Sequence, residues 1–221
     1  MDKSTTVRNA LADTLLASGA ITTKAVEAAV RAVPRHLFLL DVSSERAYAD
    51  RAVTIKYNRA GIPISSASQP TMVAQMLEQL DVQEGDHALE VGTATGYNAA
   101  LLAYLVGETG QVVSVEIEED LAARAEESLG ATGFAQVRVV RGDGRTGFVP
   151  GAPYDRIIVT AGVREVAPAW LDQLAEGGRL VVPLVNLTGD GMSVLFEMID
   201  GEPVARSGRP CGFVPLRSAP G

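Results

Sequence analysis

Apolar residues recur at helical spacing from the start of the chain. Val7, Leu11, Leu15 and Leu16 share one face, and Gly19 stops the run. Thr22 or Thr23 caps a second helix carrying Ala25, Val26, Ala29 and Val30, which ends before Pro34. Residues 51–70 hold no sustained period, so they predict an irregular or partly extended connection with turn residues crowded at its far end. A connection of that length inside a compact domain is more often functional than decorative. From Thr71 the helical period returns, with Met72, Val73, Met76, Leu77 and Leu80 on one face.

Beyond that helix, short Val- and Ile-rich runs alternate with helical stretches. The runs are His87–Val91, Gln111–Val115, Gln136–Val140, Asp155–Val159 and Arg179–Leu184; the helices cover Tyr97–Val106, Glu118–Leu129 and Ala167–Leu174. This alternation predicts an α/β fold, a doubly wound and mostly parallel sheet with helices on both faces. The end of the chain differs. Ser193–Ile199, the turn Asp200-Gly201 and a second extended run ending in Phe213-Val214-Pro215-Leu216 predict an antiparallel hairpin. The whole reads as a single domain over 1–221: a helical N-terminal extension and loop (1–70), a core (71–185) and a C-terminal hairpin (186–221).

Composition narrows the function. Aromatic residues are 5% of the chain, so the core is built mainly from Ala, Val, Leu and Ile. A net charge of −8 and the lack of any basic run argue against a nucleic-acid partner, which calls for clustered Lys and Arg. A single cysteine, Cys211, rules out an intrachain disulfide. No apolar stretch approaches membrane-spanning length, and Met1–Thr6 lacks the apolar segment of a secretory signal. A cytoplasmic protein without a membrane partner is expected.

The strand ends carry the candidate chemistry. The run ending at Val91 leads straight into Gly92-Thr93-Ala94-Thr95-Gly96, where small residues let a ligand approach the backbone and a helix start offers free N–H groups. Glu116 ends the next strand, where a carboxylate accepts from both ribose hydroxyls of an adenosine ligand; Asp143-Gly144 follows the third, where an acid accepts from an adenine amino group. The loop is Gly-x-x-x-Gly and lacks the middle glycine of a pyrophosphate fingerprint, and no phosphate-cradling Gly-Lys-Ser/Thr occurs. A phosphate-free adenosyl ligand, S-adenosylmethionine, matches that set.

At these residues the chain resembles the protein-L-isoaspartate O-methyltransferase family. The resemblance runs from about Val33 to Leu216, through Val33-Pro34-Arg35-His36-Leu37-Phe38, Ala47-Tyr48-Ala49-Asp50, Ser68-Gln69-Pro70 and Leu89-Glu90-Val91-Gly92-Thr93-Ala94-Thr95-Gly96-Tyr97. It continues in Tyr154–Ala161, Gly177–Pro183 and Phe213–Leu216. It implies a class I, Rossmann-like methyltransferase that esterifies a side-chain carboxylate of an aspartyl or isoaspartyl peptide, with the ester closing to a succinimide. The resemblance places Ser68 on the family's active-site serine and Ser66 where the family usually has Thr, either hydroxyl being able to hold the acceptor carboxylate. With it, the candidate cofactor set becomes Glu90, Gly92, Thr93, Ala94, Gly96, Glu116, Asp143, Gly144 and Thr160, with no metal. A carboxylate is already ionised at neutral pH, so attack on a sulfonium methyl needs no general base, and His36, His87 and Cys211 read as structural.

Two departures fall in the segment expected to meet the acceptor. Residues 56–65 are longer than the family's usual link, and Ser66-Ala67 replaces its Thr-Ile. Ser65-Ser66-Ala67-Ser68-Gln69-Pro70 and Cys211-Gly212-Phe213 resemble actinobacterial relatives associated with ribosomally made peptides. That likeness implies an alternative acceptor, an unmodified Asp of a precursor peptide converted to aspartimide.

Overall fold

The computed structural model describes residues 3–188 and 190–218. Two helices, α1 (Lys3–Ala17) and α2 (Lys24–Ala32), open the chain, followed by the short α3 (Ser44–Ala47). Thr23 caps α2, its side chain accepting from the Val26 N–H. Next come strands β1 (Val53–Tyr57) and β2 (Pro63–Ala67), then α4 (Pro70–Leu80), with Pro70 at its first turn. The alternating core is β3 (His87–Val91), α5 (Tyr97–Val106), β4 (Gln111–Glu116), α6 (Glu119–Ala131), β5 (Arg138–Arg141), β6 (Tyr154–Val159) and α7 (Pro168–Asp172). Strands β7 (Leu174–Val185), β8 (Asp190–Ile199) and β9 (Glu202–Gly212) complete the chain.

The main sheet has the order β5-β4-β3-β6-β7-β8-β9, parallel through β7 and antiparallel across β8 and β9. The doubly wound, mostly parallel architecture is therefore present. Strands in such a sheet are covered on both faces, and their apolar runs divide by a period of two. Ala88, Val112, Ile158 and Val181 pack towards α1, α2, α4 and α5, whereas Leu89, Val91, Val113, Val115, Ile157 and Val159 join Tyr154 and Trp170 on the other side. Truncating a fully buried residue such as Leu89 to Ala costs about 2–5 kcal/mol.

Several expected boundaries move, each for a local reason. Of the two readings of residues 51–70 the extended one holds: β1 and β2 form an antiparallel hairpin around Asn58, whose Oδ1 accepts from the N–H groups of Ala60 and Ile62. Register shifts at Thr54/Lys56 and Lys56/Tyr57 break the alternation that would have marked β1 as a strand. The helix expected to reach Leu174 stops at Asp172, because Leu174 pairs with Tyr154. A bulge at Ala175–Gly178 then restores register at Arg156 and Arg179. The strand expected at Gln136 begins at Arg138.

At the end of the chain, Asp200 (φ 53°) and Gly201 (φ 77°) make the expected turn between β8 and β9. The run expected to continue to Leu216 leaves the sheet after Gly212. The Gly162 N–H donates to the Val214 carbonyl and the Leu216 N–H to the Gly162 carbonyl, both at 2.8 Å, which lays residues 214–216 across the loop that follows β6. Among the described residues, no helix is long and apolar enough to cross a membrane.

Candidate active site

The chain passes from β3 to β4 and β5 on one side of the sheet and then returns to β6 on the other. The carboxyl end of β3 is thus a topological switch point, where such sheets open a crevice. Residues 92–96 turn there. Gly92 has φ 100°, and a Cβ on it would lie 2.7 Å from Thr160 Oγ1, so any larger residue clashes and is strained as well. Gly96 (φ 85°) begins α5, and its bare Cα fits beneath Ala125 and Leu129 of α6. Thr160 closes the other side by donating to the Val91 or Gly92 carbonyl, at 3.1 and 2.7 Å.

Two acids hold the loop in different ways. Glu90, wholly buried, is the register partner of Ser114. Ser114 Oγ and Asn98 Nδ2 donate to its two carboxylate oxygens, and Ser114 Oγ also lies 2.6 Å from Thr93 Oγ1. Burial pushes Glu90 up to about 7, against the pull of those two hydrogen bonds and with the Glu116 charge adding to the rise. Glu90 ties β3, β4 and the start of α5 together. Glu116 instead faces a cleft of about 560 Å³, and accepts from the N–H of Ala94 (2.8 Å) and of Glu118 (3.1 Å), one on each oxygen. A carboxylate has about four acceptor positions, so two backbone bonds leave capacity for a pair of vicinal hydroxyls.

Gly92, Ala94, Glu116, Gly144 and Thr160 line this cleft together. Asp143 does not join them. Its carboxylate accepts from the Arg145 N–H at 3.0 Å and pairs with the Arg145 guanidinium at 2.8 Å, on the wall of a neighbouring cavity beside Trp170. An adenine amino group meets Asp143 only by sharing that carboxylate with Arg145. The site fits an adenosyl ligand at its ribose end through Glu116.

The β1–β2 hairpin and the C-terminal segment roof the cleft: Ile64, Ser65 and Ser66 lie on one side, Val214 to Arg217 on the other. Both are fastened at Glu118, which pairs with Lys56 of β1 and with Arg217; Lys56 also pairs with Asp120. These bonds hold the Lys56 ammonium charge against the burial that opposes it, and draw Glu118 and Asp120 below the ordinary carboxylate range. Ser66 also lines an adjoining cavity of about 440 Å³ with Ser68, Glu90, Gly92, Thr93, Ala94 and Thr160, so both candidate serines meet the loop. Asp50 sets the exit of this segment, its carboxylate accepting from Gln69 Nε2 and from the N–H and hydroxyl of Thr71.

Sequence reasoning missed four contributors. Asn98 and Ser114 support Glu90, and Ser114 had a signal: a hydroxyl interrupting the run Val112-Val113-Ser114-Val115. Arg35, buried on the wall of the serine cavity, and Arg217, at the latch, had none, because only the packing of distant segments brings them there. His36 bonds Tyr48 through Nδ1 at 2.8 Å, away from both cavities. Among the described residues no cluster of His, Cys, Asp and Glu is arranged to hold a metal.

The model of the protein-L-isoaspartate(D-aspartate) O-methyltransferase family matches residues 6–220. A protein-L-isoaspartate O-methyltransferase of Ignicoccus hospitalis is 43% identical over 204 residues, 91% of this chain and 93% of the relative. Its counterpart from Methanopyrus kandleri is 39% identical over 210 residues, 95% and 90% of the two chains. A solved protein-L-isoaspartate O-methyltransferase superposes with a TM-score of 0.85 at 33% identity, covering 97% of this chain and 66% of that longer one. A solved Plasmodium falciparum homologue in complex with S-adenosyl-L-homocysteine gives a TM-score of 0.80 at 20% identity, over 96% of this chain and 99% of that one. This last likeness shows the fold alone.

Proposed function

The chain belongs to the protein-L-isoaspartate O-methyltransferase family, a family of S-adenosylmethionine-dependent carboxyl methyltransferases, and from that premise we propose that it esterifies the free side-chain carboxylate of an isoaspartyl peptide. One observation carries the reading. Ser66 of the hairpin lines both the Glu116 cleft and the adjoining cavity, and Ser68, just past the hairpin, lines the latter with the loop at the end of β3, which supports a reading with acceptor and methyl donor side by side.

The bound cofactor supplies an electrophilic methyl on a sulfonium. Everything else falls to the chain. Glu116 takes the ribose hydroxyls, while the backbone of Gly92 to Gly96 gives close approach and the free N–H groups at the start of α5. The Ser66 and Ser68 hydroxyls orient the acceptor carboxylate. No side chain has to remove a proton, because the acceptor is already ionised at neutral pH. The hairpin and residues 214–217 close over the reacting groups and exclude water, which favours a reaction in which opposite charges cancel. The methyl ester that results has a more electrophilic carbonyl than the carboxylate; the following backbone nitrogen attacks that carbonyl and gives up its proton, and the methoxy group leaves as methanol, closing a succinimide.

The test is labelled-methyl transfer to an isoaspartyl peptide and to its aspartyl counterpart. Selective transfer to the isoaspartyl peptide is expected. Transfer to the aspartyl peptide without such preference would replace the repair reading by a tailoring one.

A further inference from the structure

Arg35 is the only buried arginine among the described residues, and it stands at the edge of the serine cavity. Arginines nearer the surface, such as Arg31, Arg124 and Arg217, pair with carboxylates. Arg35 pairs with none. Its Nε donates to the Ala47 carbonyl and its Nη2 to the Ser68 carbonyl, both at 2.9 Å, and its guanidinium lies 4.8 Å from the centre of the Tyr97 ring. The acid that acts on it electrostatically, Asp50, has its carboxylate occupied by Gln69 and Thr71. A guanidinium keeps its charge under all ordinary conditions, so taking it out of water without a counter-ion is costly. Burial accordingly works against its protonated form.

Resting on the functional reading above, we propose that Arg35 is the receiver of a substrate carboxylate in this cavity, its missing counter-ion being supplied on binding. Two carboxylates enter such a site: that of the acceptor side chain and that of the methionyl end of the donor. The chemistry is the same for both, and Ser68, whose carbonyl Arg35 already holds, is positioned in the same act. A consequence follows for the acceptor. Its charge is cancelled as the methyl is transferred, so a guanidinium that binds the ionised carboxylate acts on substrate binding more than on the transition state. Loss of Arg35 then raises KM for the acceptor by a larger factor than it lowers kcat, the fall in kcat coming from the release of Ser68.

The experiment compares the unaltered protein, Arg35→Gln and Arg35→Lys. The donor arm measures by calorimetry the affinities of S-adenosylmethionine and of its decarboxylated analogue. The acceptor arm measures competition by an isoaspartyl peptide and by its uncharged isoasparaginyl amide. A charge-assisted contact predicts that the unaltered protein prefers at least one carboxylate ligand over its neutral partner by about tenfold or more. Arg35→Gln erases that preference, and Arg35→Lys, which keeps a cation there, retains most of it. The arm that responds identifies which carboxylate Arg35 receives. The proposal is overturned if the unaltered protein shows neither preference, if the preference survives in Arg35→Gln, or if Arg35→Lys loses it as completely as Arg35→Gln does. That last result would assign Arg35 to holding Ser68 alone. If Arg35→Gln does not fold, Arg35→Met takes its place as the neutral variant on the same criteria. Failure of the unaltered enzyme to methylate the isoaspartyl peptide would refute the functional reading but leave the donor arm able to test Arg35.

Discussion

The two halves of the proposed site are built on different principles. The half proposed for the donor lies at the carboxyl ends of β3 and β4, inside the sheet, where Glu90 and Glu116 are enclosed and each already holds backbone or side-chain donors. The acceptor half is a separate two-stranded hairpin with an irregular register, joined to the core near the cleft by ion pairs of Lys56 that are partly open to solvent. A site formed within a sheet changes only if the sheet changes. A hairpin laid across it can vary in length and sequence without disturbing the fold, which is why the proposed reading assigns acceptor preference to it. Residues 56–65, expected from the sequence to be longer than the family's usual link, belong to that hairpin.

Substitutions on each half can break or sharpen the contrast. The largest expected effect is on the donor side: Glu116→Ala removes the acceptor for the ribose hydroxyls and for the Ala94 N–H, and lowers S-adenosylmethionine affinity about 100-fold by calorimetry. Unchanged affinity would show that this strand end does not hold the donor.

Glu90 should report on pH. Its carboxyl is raised to about 7 in the folded chain, above its value when unfolded, so the folded state binds the proton more tightly. Its contribution is most favourable below about pH 4.5 and is lost progressively as pH rises to about 7. Glu90→Gln, which keeps the shape, should therefore gain stability relative to the unaltered protein across that window, by at most about 3 kcal/mol. Denaturant unfolding at pH 5 and pH 8 measures it; a difference independent of pH would contradict the assignment.

Effects on the acceptor half are smaller and different in kind. Ser68→Ala should lower turnover about tenfold while S-adenosylmethionine affinity stays near that of the unaltered enzyme. Full activity in that variant would leave acceptor orientation to Ser66. Smallest is Lys56→Ala, which releases the hairpin from Glu118 and Asp120 and costs less than about 1 kcal/mol of stability. It should also make acceptor KM less sensitive to salt, which a salt titration of the two enzymes checks.

The legibility of the site follows the same division. Gly92 and Gly96 were readable because a chain that turns with positive φ against Thr160 and α6 tolerates little else. Glu116 was readable because an acid at a strand end stands out from the Val run before it. The hairpin at 53–67 was not, since its register shifts remove the alternation by which a strand announces itself. Asp143 pairs with Arg145, two residues on, and lines a neighbouring cavity, a placement that the strand-end position alone did not disclose.

The amino-acid sequence by itself determined the alternation of strands and helices, the turn at Asp200-Gly201 and the glycine-bounded loop after β3, because these depend on spacing and backbone conformation within short stretches. Only the tertiary structure decided what covers the loop. Lys56, Glu118 and Arg217 meet at one latch, and Arg35 reaches the serine cavity, from positions far apart in the chain. Contacts of that kind are chosen by the packing of whole elements, and no local pattern of residues encodes them.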